Sequence, residues 1–380
     1  MNFDLNEDQK LLVGTVADFC KKESSVERMR KLRDTDLGWA PQTWAQMGEL
    51  GWLSVAFPEE IGGLGGSFVD AALIIEQLGN TLVPEPYLAS VVLAGFAVRD
   101  AAPSAQATEI LGPMLEGREV LALGYTEAES RHNLANVTTR AEKSGDGYKL
   151  TGHKRWVLAG HGAHKLVVSA RTSGEARDRD GISLFVVDAA AAGVDLKRVD
   201  CMDGHKAAML TLQGAEGRLL GEAGTALPSL ERALDYAAAA ACAEGAGIMQ
   251  TVLSMTRDYL CEREQFGQKI GSFQALQHRL VDMFVETQLA KSSAIFAMIK
   301  ADEADPSERM RAISAAKVQL SLSGGFVVRQ GTQLHGGIGV TDEHDIGLYF
   351  KRMHSLSTLF GDETFHTRRF SSLPSFTQHV

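Results

Sequence analysis

Two stretches of this 380-residue chain pair anion-binding side chains with backbone that can approach a ligand: "REQFGQKIGSFQALQHRLVDM" (263–283) and "QLHGGIGVTDEHDIGLYFKRM" (333–353). Arg263 closes a long helical run. A guanidinium there can grip a phosphate through two parallel N–H bonds, and it is equally a solvated charge of the kind a helix C-terminus favours. Gly336, Gly337 and Gly339 expose backbone N–H groups that could line an anion or a planar ring, although ordinary turns use the same residues. Carboxylates are the third feature. Glu244 interrupts the apolar run "AAAAACAEGAG", an unusual place for an acid, whereas Asp362 and Glu363 in "TLFGDETFHTRR" stand where helix capping is an ordinary use.

These groups need elements to hold them. From Glu7 to about Pro113 the periodicity is helical, with Leu12, Val16 and Phe19 on one face and "SFVDAALIIEQLG" as another amphipathic run, interrupted by "FPEEIGGLGGS". Between about Glu119 and Glu222 short β-rich runs such as "VLALGYTEA", "YKLTGHKRWVLAG" and "GISLFVVD" are separated by the turns "SGDGY" and "RDRDG". That texture predicts a compact antiparallel β domain and disfavours a doubly wound nucleotide-binding sheet. Helices return after Gly224. In "FQALQHRLVDMF" the residues Phe273, Leu276, Leu280 and Phe284 form one stripe, and long helices with wide apolar faces build bundles and often oligomerise. The expected fold is therefore α+β: an N-terminal helical domain (1–117), a middle antiparallel β domain (118–223) and a C-terminal four-helix bundle (224–380).

Composition narrows the function classes. A formal net charge of -10 and a pI near 5.6 argue against a general nucleic-acid or anionic-membrane surface. Cys20, Cys201, Cys242 and Cys261 are scattered without a C-x-x-C pair or a histidine at ligand spacing, which predicts free thiols and no metal site. The acidic, polar start "MNFDLNEDQK" does not read as a signal peptide, and no apolar run reaches membrane-spanning length, so a cytoplasmic protein is expected.

Taken together, the arginine and glycine stretches resemble the signature segments of the acyl-CoA dehydrogenase family. "FPEEIGGLGGS" resembles its N-terminal Gly-rich turn, "GYTEAE" and "KRWVLAG" its β-domain flavin strands, and the helical, β, helical order matches. The resemblance implies FAD between the β domain and the C-terminal bundle, with a neighbouring subunit of a homo- or hetero-tetramer completing the site. Arg263, Phe266 and Gln274 would meet the adenosine and pyrophosphate end, as would Gln333, Gly336 and Gly337. Tyr125, Thr126, Trp156, Val157 and Leu158 would lie by the flavin ring. The implied reaction is α,β-dehydrogenation of an acyl-CoA thioester: a carboxylate takes the α proton, the β hydrogen leaves as hydride, and an electron-transfer flavoprotein receives the electrons.

The chain also departs from the family. The position of the usual glutamate base falls on Phe360, and the alternative base position on the helix before the arginine motif falls on Ala237. Neither side chain accepts a proton, so Asp362 and Glu244 are the remaining candidate bases, with Glu363 a further nearby acid. "AESRHNLA" lacks the Gly-Ser pair that relatives bring to the flavin, Leu158 replaces a hydroxyl near flavin N5, and Ala238 replaces an arginine. Two readings follow: an FAD-dependent acyl-CoA dehydrogenase, or a partly catalytic or non-catalytic subunit of a heterotetrameric one that helps form a shared FAD site. "HSLSTLFGD" resembles the small subunits of pimeloyl-CoA dehydrogenase-type assemblies. A flavin oxidase or monooxygenase on the same fold would instead release hydrogen peroxide.

Overall fold

The computed structural model describes residues 4–374. The chain opens with helices α1 (Glu7–Glu23), α2 (Val26–Arg33), α3 (Pro41–Glu49) and α4 (Phe68–Asn80), then a π-helical stretch (Tyr87–Gly95) that runs into α5 (Phe96–Ala101), and α6 (Ser104–Leu115). Seven strands follow: β1 (Leu121–Gly124), β2 (Arg140–Ser144), β3 (Gly147–Leu158), β4 (Lys165–Arg171), β5 (Ile182–Asp188), β6 (Val194–Asp200) and β7 (Lys206–Leu220). The rest is helical apart from one hairpin, β8 (Glu264–Gln265) with β9 (Gln268–Lys269). Its helices are α7 (Leu227–Glu262), α8 (Gln274–Lys300), α9 (Pro306–Gln319), α10 (Gly325–Leu334), α11 (Ile346–Thr358) and α12 (Glu363–Ser371). A π-helical turn (Leu320–Gly324) joins α9 to α10.

Among the described residues two compact units emerge, one of residues 30–67 and 84–237, the other of residues 4–29, 68–83 and 238–374. The first holds the sheet. β4, β2, β3, β7 and β5 pair in succession and β5 returns to β4, so the sheet closes, with β6 added on β7. The ladders are antiparallel as the hairpin turns require, except that β1 joins β4 in parallel and β2 touches it in parallel at Arg140. The two parallel pairings add to the antiparallel domain expected from sequence, because pairing between strands distant in the chain leaves no local turn signal. Leu150, Val157, Leu166, Val168, Phe185 and Leu210 fill the interior, each worth roughly 1.5–3 kcal/mol of burial.

In the helical unit, glycines let α4 and α7 cross closely. A Cβ on Gly79 would come within 2.5 Å of the Glu244 carbonyl oxygen, and one on Gly247 within 2.1 Å of that of Glu76. The glycines of "AEGAG" are therefore packing residues. α8 uses only part of its apolar surface inside the chain. Its buried positions are Met283, Thr287, Ala290, Ala294, Ala297 and Met298. Phe284, from the stripe read in the sequence, is 51% exposed. Small residues face the bundle because neighbouring helices approach there, and the larger apolar side chains point outward.

Candidate functional site

The residues expected at the dinucleotide end of FAD all belong to the helical unit. α7 ends at Glu262, and Arg263, Phe266 and Gln274 follow on the hairpin and the first turn of α8, all exposed. The hairpin turns through Phe266 (φ +55°) and Gly267 (φ +77°), the left-handed pair that a two-residue connection of this kind needs. Left-handed geometry costs a phenylalanine roughly 1–2 kcal/mol, yet the Phe266 ring is 89% exposed and meets only Phe273 edge-on. Gln333 is exposed at the end of α10, and a 3₁₀ turn (Gly336–Val340) follows. Gly336 has φ +64°, and a Cβ added at Gly336 or Gly337 would meet nothing within 4 Å. Open backbone, an exposed guanidinium and two exposed amides suit an anionic, hydroxyl-bearing dinucleotide, so these residue types fit FAD.

Behind this surface lies a stack of rings that composition and motif reading missed. Tyr259, one turn before Arg263, stacks on His335 at 4.5 Å between centroids, and His335 lies 4.5 Å from His344. His335 Nδ1 is 2.8 Å from the Gly331 carbonyl. A carbonyl only accepts, so Nδ1 carries the hydrogen and donates. Burial pushes the imidazole below its ordinary pKa and the His344 charge adds to this, while the bond to Gly331 opposes both. "QLHGG" and "DEHD" carried the two histidines in plain view, but nothing local said that they meet.

The residues expected beside the flavin ring lie on the sheet unit. β3 breaks register with β7 between Lys154 and Val157, and Arg155 N–H instead donates to the Thr126 carbonyl at 2.7 Å. That bulge sets Trp156 at φ +54° with its ring 52% exposed. Tyr125 and Thr126, on the segment that Arg155 bonds, and Leu158 are half-buried. Val157 differs from the others: its side chain fills the sheet interior. Only its backbone is left to face a ligand, because alternation along β3 turns it inward. The bulge is anchored by a buried pair, Lys154 Nζ to Glu127 Oε1 at 2.6 Å. Burial opposes ionisation of Glu127, but Lys154 and hydrogen bonds from Thr138 and Thr139 outweigh it and hold the carboxyl down to about 2. The same burial acts against the Lys154 ammonium, which Glu127 offsets. In the stretch that lacks Gly-Ser, Arg131 takes φ +46°, glycine geometry without a glycine.

The candidate bases fare differently. Glu244 accepts two bonds from Arg352, at 2.6 and 2.8 Å, in a buried fork-to-fork pair. Asp362 is exposed and caps α12, accepting from Phe365 N–H at 2.8 Å. Neither is a free carboxylate in a dry slot: Asp362 caps its helix, and Glu244 is held by a cation. Glu363 is exposed in the first turn of α12, where an acid complements the helix dipole. Ala237 is fully buried, and Phe360 is 8% exposed at φ +60°. The turn bearing Phe360 is clamped from beneath. Buried Lys317 donates to the Leu356 and Leu359 carbonyls at 2.6 and 2.8 Å, and His366 Nε2 donates to the Phe360 carbonyl at 3.1 Å.

A closed β sheet preceded and followed in the chain by helical segments, with an exposed glycine turn and an arginine-bearing hairpin, has the element order and motifs of a flavoprotein dehydrogenase. The comparisons agree: the acyl-CoA dehydrogenase N-terminal, middle and C-terminal domains match residues 6–118, 122–215 and 227–371. The chain belongs to the acyl-CoA dehydrogenase family, flavoprotein oxidoreductases acting on CH–CH bonds. It is 30% identical to the probable acyl-CoA dehydrogenase YngJ of Bacillus subtilis, covering 91% of this chain and 92% of that one. It is also 30% identical to acyl-CoA dehydrogenase IpdE2 of Mycolicibacterium smegmatis, over 96% of this chain and 98% of the relative. Among solved structures, the ChsE4-ChsE5 complex from Mycobacterium tuberculosis superposes with a TM-score of 0.87 at 26% identity, covering 98% of each chain. No helix among the described residues is long and apolar enough to cross a membrane.

Proposed function

We propose that this chain serves the FAD-dependent α,β-dehydrogenation of an acyl-CoA thioester as one subunit of a two-chain acyl-CoA dehydrogenase, with electrons leaving to an electron-transfer flavoprotein. In that reading Arg263, Gln274, Gln333 and the Gly336–Gly337 turn hold the dinucleotide end of an FAD whose ring lies on an unlike, homologous chain. That partner supplies the base. FAD, when bound, accepts the β hydrogen as hydride; this chain's own part is to bind and orient it.

The contrast between the two halves of the site carries the reading. The dinucleotide half keeps its motif residues, with Gly336 and Gly337 on open backbone and Arg263, Gln274 and Gln333 exposed. The ring half has Leu158 in place of a hydroxyl and Phe360 and Ala237 at the base positions, while Glu244 is paired and Asp362 caps a helix. A proton cannot be removed by a carboxylate already forked to a buried guanidinium without first breaking that pair. Similarity to one chain of a named two-component complex points the same way.

The test is to purify the chain alone and together with a homologous acyl-CoA dehydrogenase chain encoded beside it, record the visible spectrum, and assay a panel of acyl-CoAs with an artificial acceptor. The expected result is a colourless or inert chain alone and a yellow, active pair. A chain that is yellow and turns over by itself would overturn the two-chain reading and restore self-sufficient dehydrogenation.

A further inference from the structure

His335 Nε2 is buried without a hydrogen-bond partner, on a side chain only 2% exposed. Burying an unpaired polar atom costs free energy, and the ring's surroundings show what its position secures. On one side it stacks on Tyr259, whose carbonyl accepts from Arg263 N–H at 2.9 Å. The turn that follows closes over the base of the same side chain: a Cβ at Gly339 would sit 3.1 Å from the His335 Cβ and 2.4 Å from the Thr332 carbonyl. One imidazole therefore joins the end of α7 that presents Arg263 to the turn that presents Gly336 and Gly337.

We propose that His335 is a positioning residue that holds these two segments in register only while its ring is uncharged, so that the chain's grip on FAD is released by mild acid. This rests on the reading above that the two segments hold the dinucleotide. The titratable groups facing the ring are Tyr259 from α7 and His344 from the loop before α11, and His344 is the one whose charge acts on it. Arg279 of α8 reaches α10 at Gln330, not at the ring. With Nδ1 committed to Gly331, an added proton must go to Nε2, placing a buried cation beside a second histidine with no acceptor in reach. The carboxyl end of α10 favours a charge on His335, but burial prevails and the pKa falls below 6.5. The sign follows. Well above pH 6.5 open and closed forms are both neutral and nothing is lost; as pH falls through about 6.5 the open form takes a proton that the closed form refuses, so closure weakens.

The experiment measures the FAD dissociation constant of the flavin-loaded assembly from pH 8 to 5.5, for the wild type, His335→Phe and His335→Gln. Phenylalanine keeps the stack without titrating; glutamine keeps a donor for Gly331 without titrating. Amide hydrogen exchange at residues 335–341 of the FAD-free chain is followed over the same range. The expected wild-type constant is flat above about pH 7 and rises towards about tenfold per pH unit in acid, as one coupled proton dictates, with exchange accelerating in parallel. Both variants should lose that slope. A wild type that binds FAD with no acid limb, or variants that keep the wild-type slope, would overturn the role of His335 and leave the cofactor reading standing. Failure of the wild type to bind FAD at pH 8, alone or paired, would remove both.

Discussion

At the scale of single residues, the two carboxylates that sequence offered as bases are distinguished by what they touch. Glu244 and Arg352 form a buried bidentate pair. Removing one partner of such a pair leaves a charge stranded in low dielectric, so Glu244→Gln should destabilise the chain by about 3–5 kcal/mol. Asp362→Ala loses one exposed cap bond and should cost about 1 kcal/mol. Urea unfolding of both variants checks the ranking, and turnover per folded assembly should survive in each. A Glu244→Gln protein as stable as wild type but inactive would return Glu244 to catalysis. An acid inside an alanine helix announced itself as unusual, but its explanation sits 108 residues away on α11, where no local pattern points.

At the scale of elements, what was legible depended on whether the information was local. The alanine-rich run that became α7 and the glycine-bounded β runs declared themselves, because propensity and turn chemistry act over a few residues. The inward face of α8 did not. Both of its faces are apolar, and periodicity alone cannot choose between a stripe of Ala and Met and one of Phe and Leu; close helix approach chose the smaller residues. For the same reason the glycines and Arg263 stood out in the sequence as local motifs, while the contact of His335 with Tyr259 and His344 did not. The α11–α12 turn is a further element fixed from afar. Lys317 on α9 donates to two carbonyls at the end of α11, and its amine is brought down to about 8 by burial. Lys317→Met keeps the volume and removes both bonds. Leaving buried carbonyls unsatisfied should cost about 2–4 kcal/mol and speed amide exchange across 358–362. An unchanged melting curve and unchanged exchange would show the clamp to be dispensable.

At the scale of the whole molecule, the surface proposed to hold the dinucleotide and an exposed apolar stripe share one segment of chain. Val281, Phe284, Val285, Leu289 and Phe296 lie exposed along α8, the helix whose first turn carries Gln274 and whose preceding hairpin carries Arg263 and Phe266. Leaving large apolar side chains in water forfeits roughly 1.5–3 kcal/mol each relative to burial, and a row of them is a surface that gains by being covered. If a second chain covers it, the hairpin beside it is carried against that chain, and Arg263 then reaches a cofactor seated there; assembly and FAD binding become one event. Phe284→Glu combined with Leu289→Glu should therefore reduce the mass seen by analytical ultracentrifugation to that of one chain and abolish flavin retention in the paired preparation. The melting temperature of the isolated chain should stay nearly unchanged, because both positions already face solvent, at 51% and 49% exposure. A double variant that keeps the wild-type mass would place the interface elsewhere. One that dissociates yet retains FAD would separate cofactor binding from assembly and confine the whole site to a single chain.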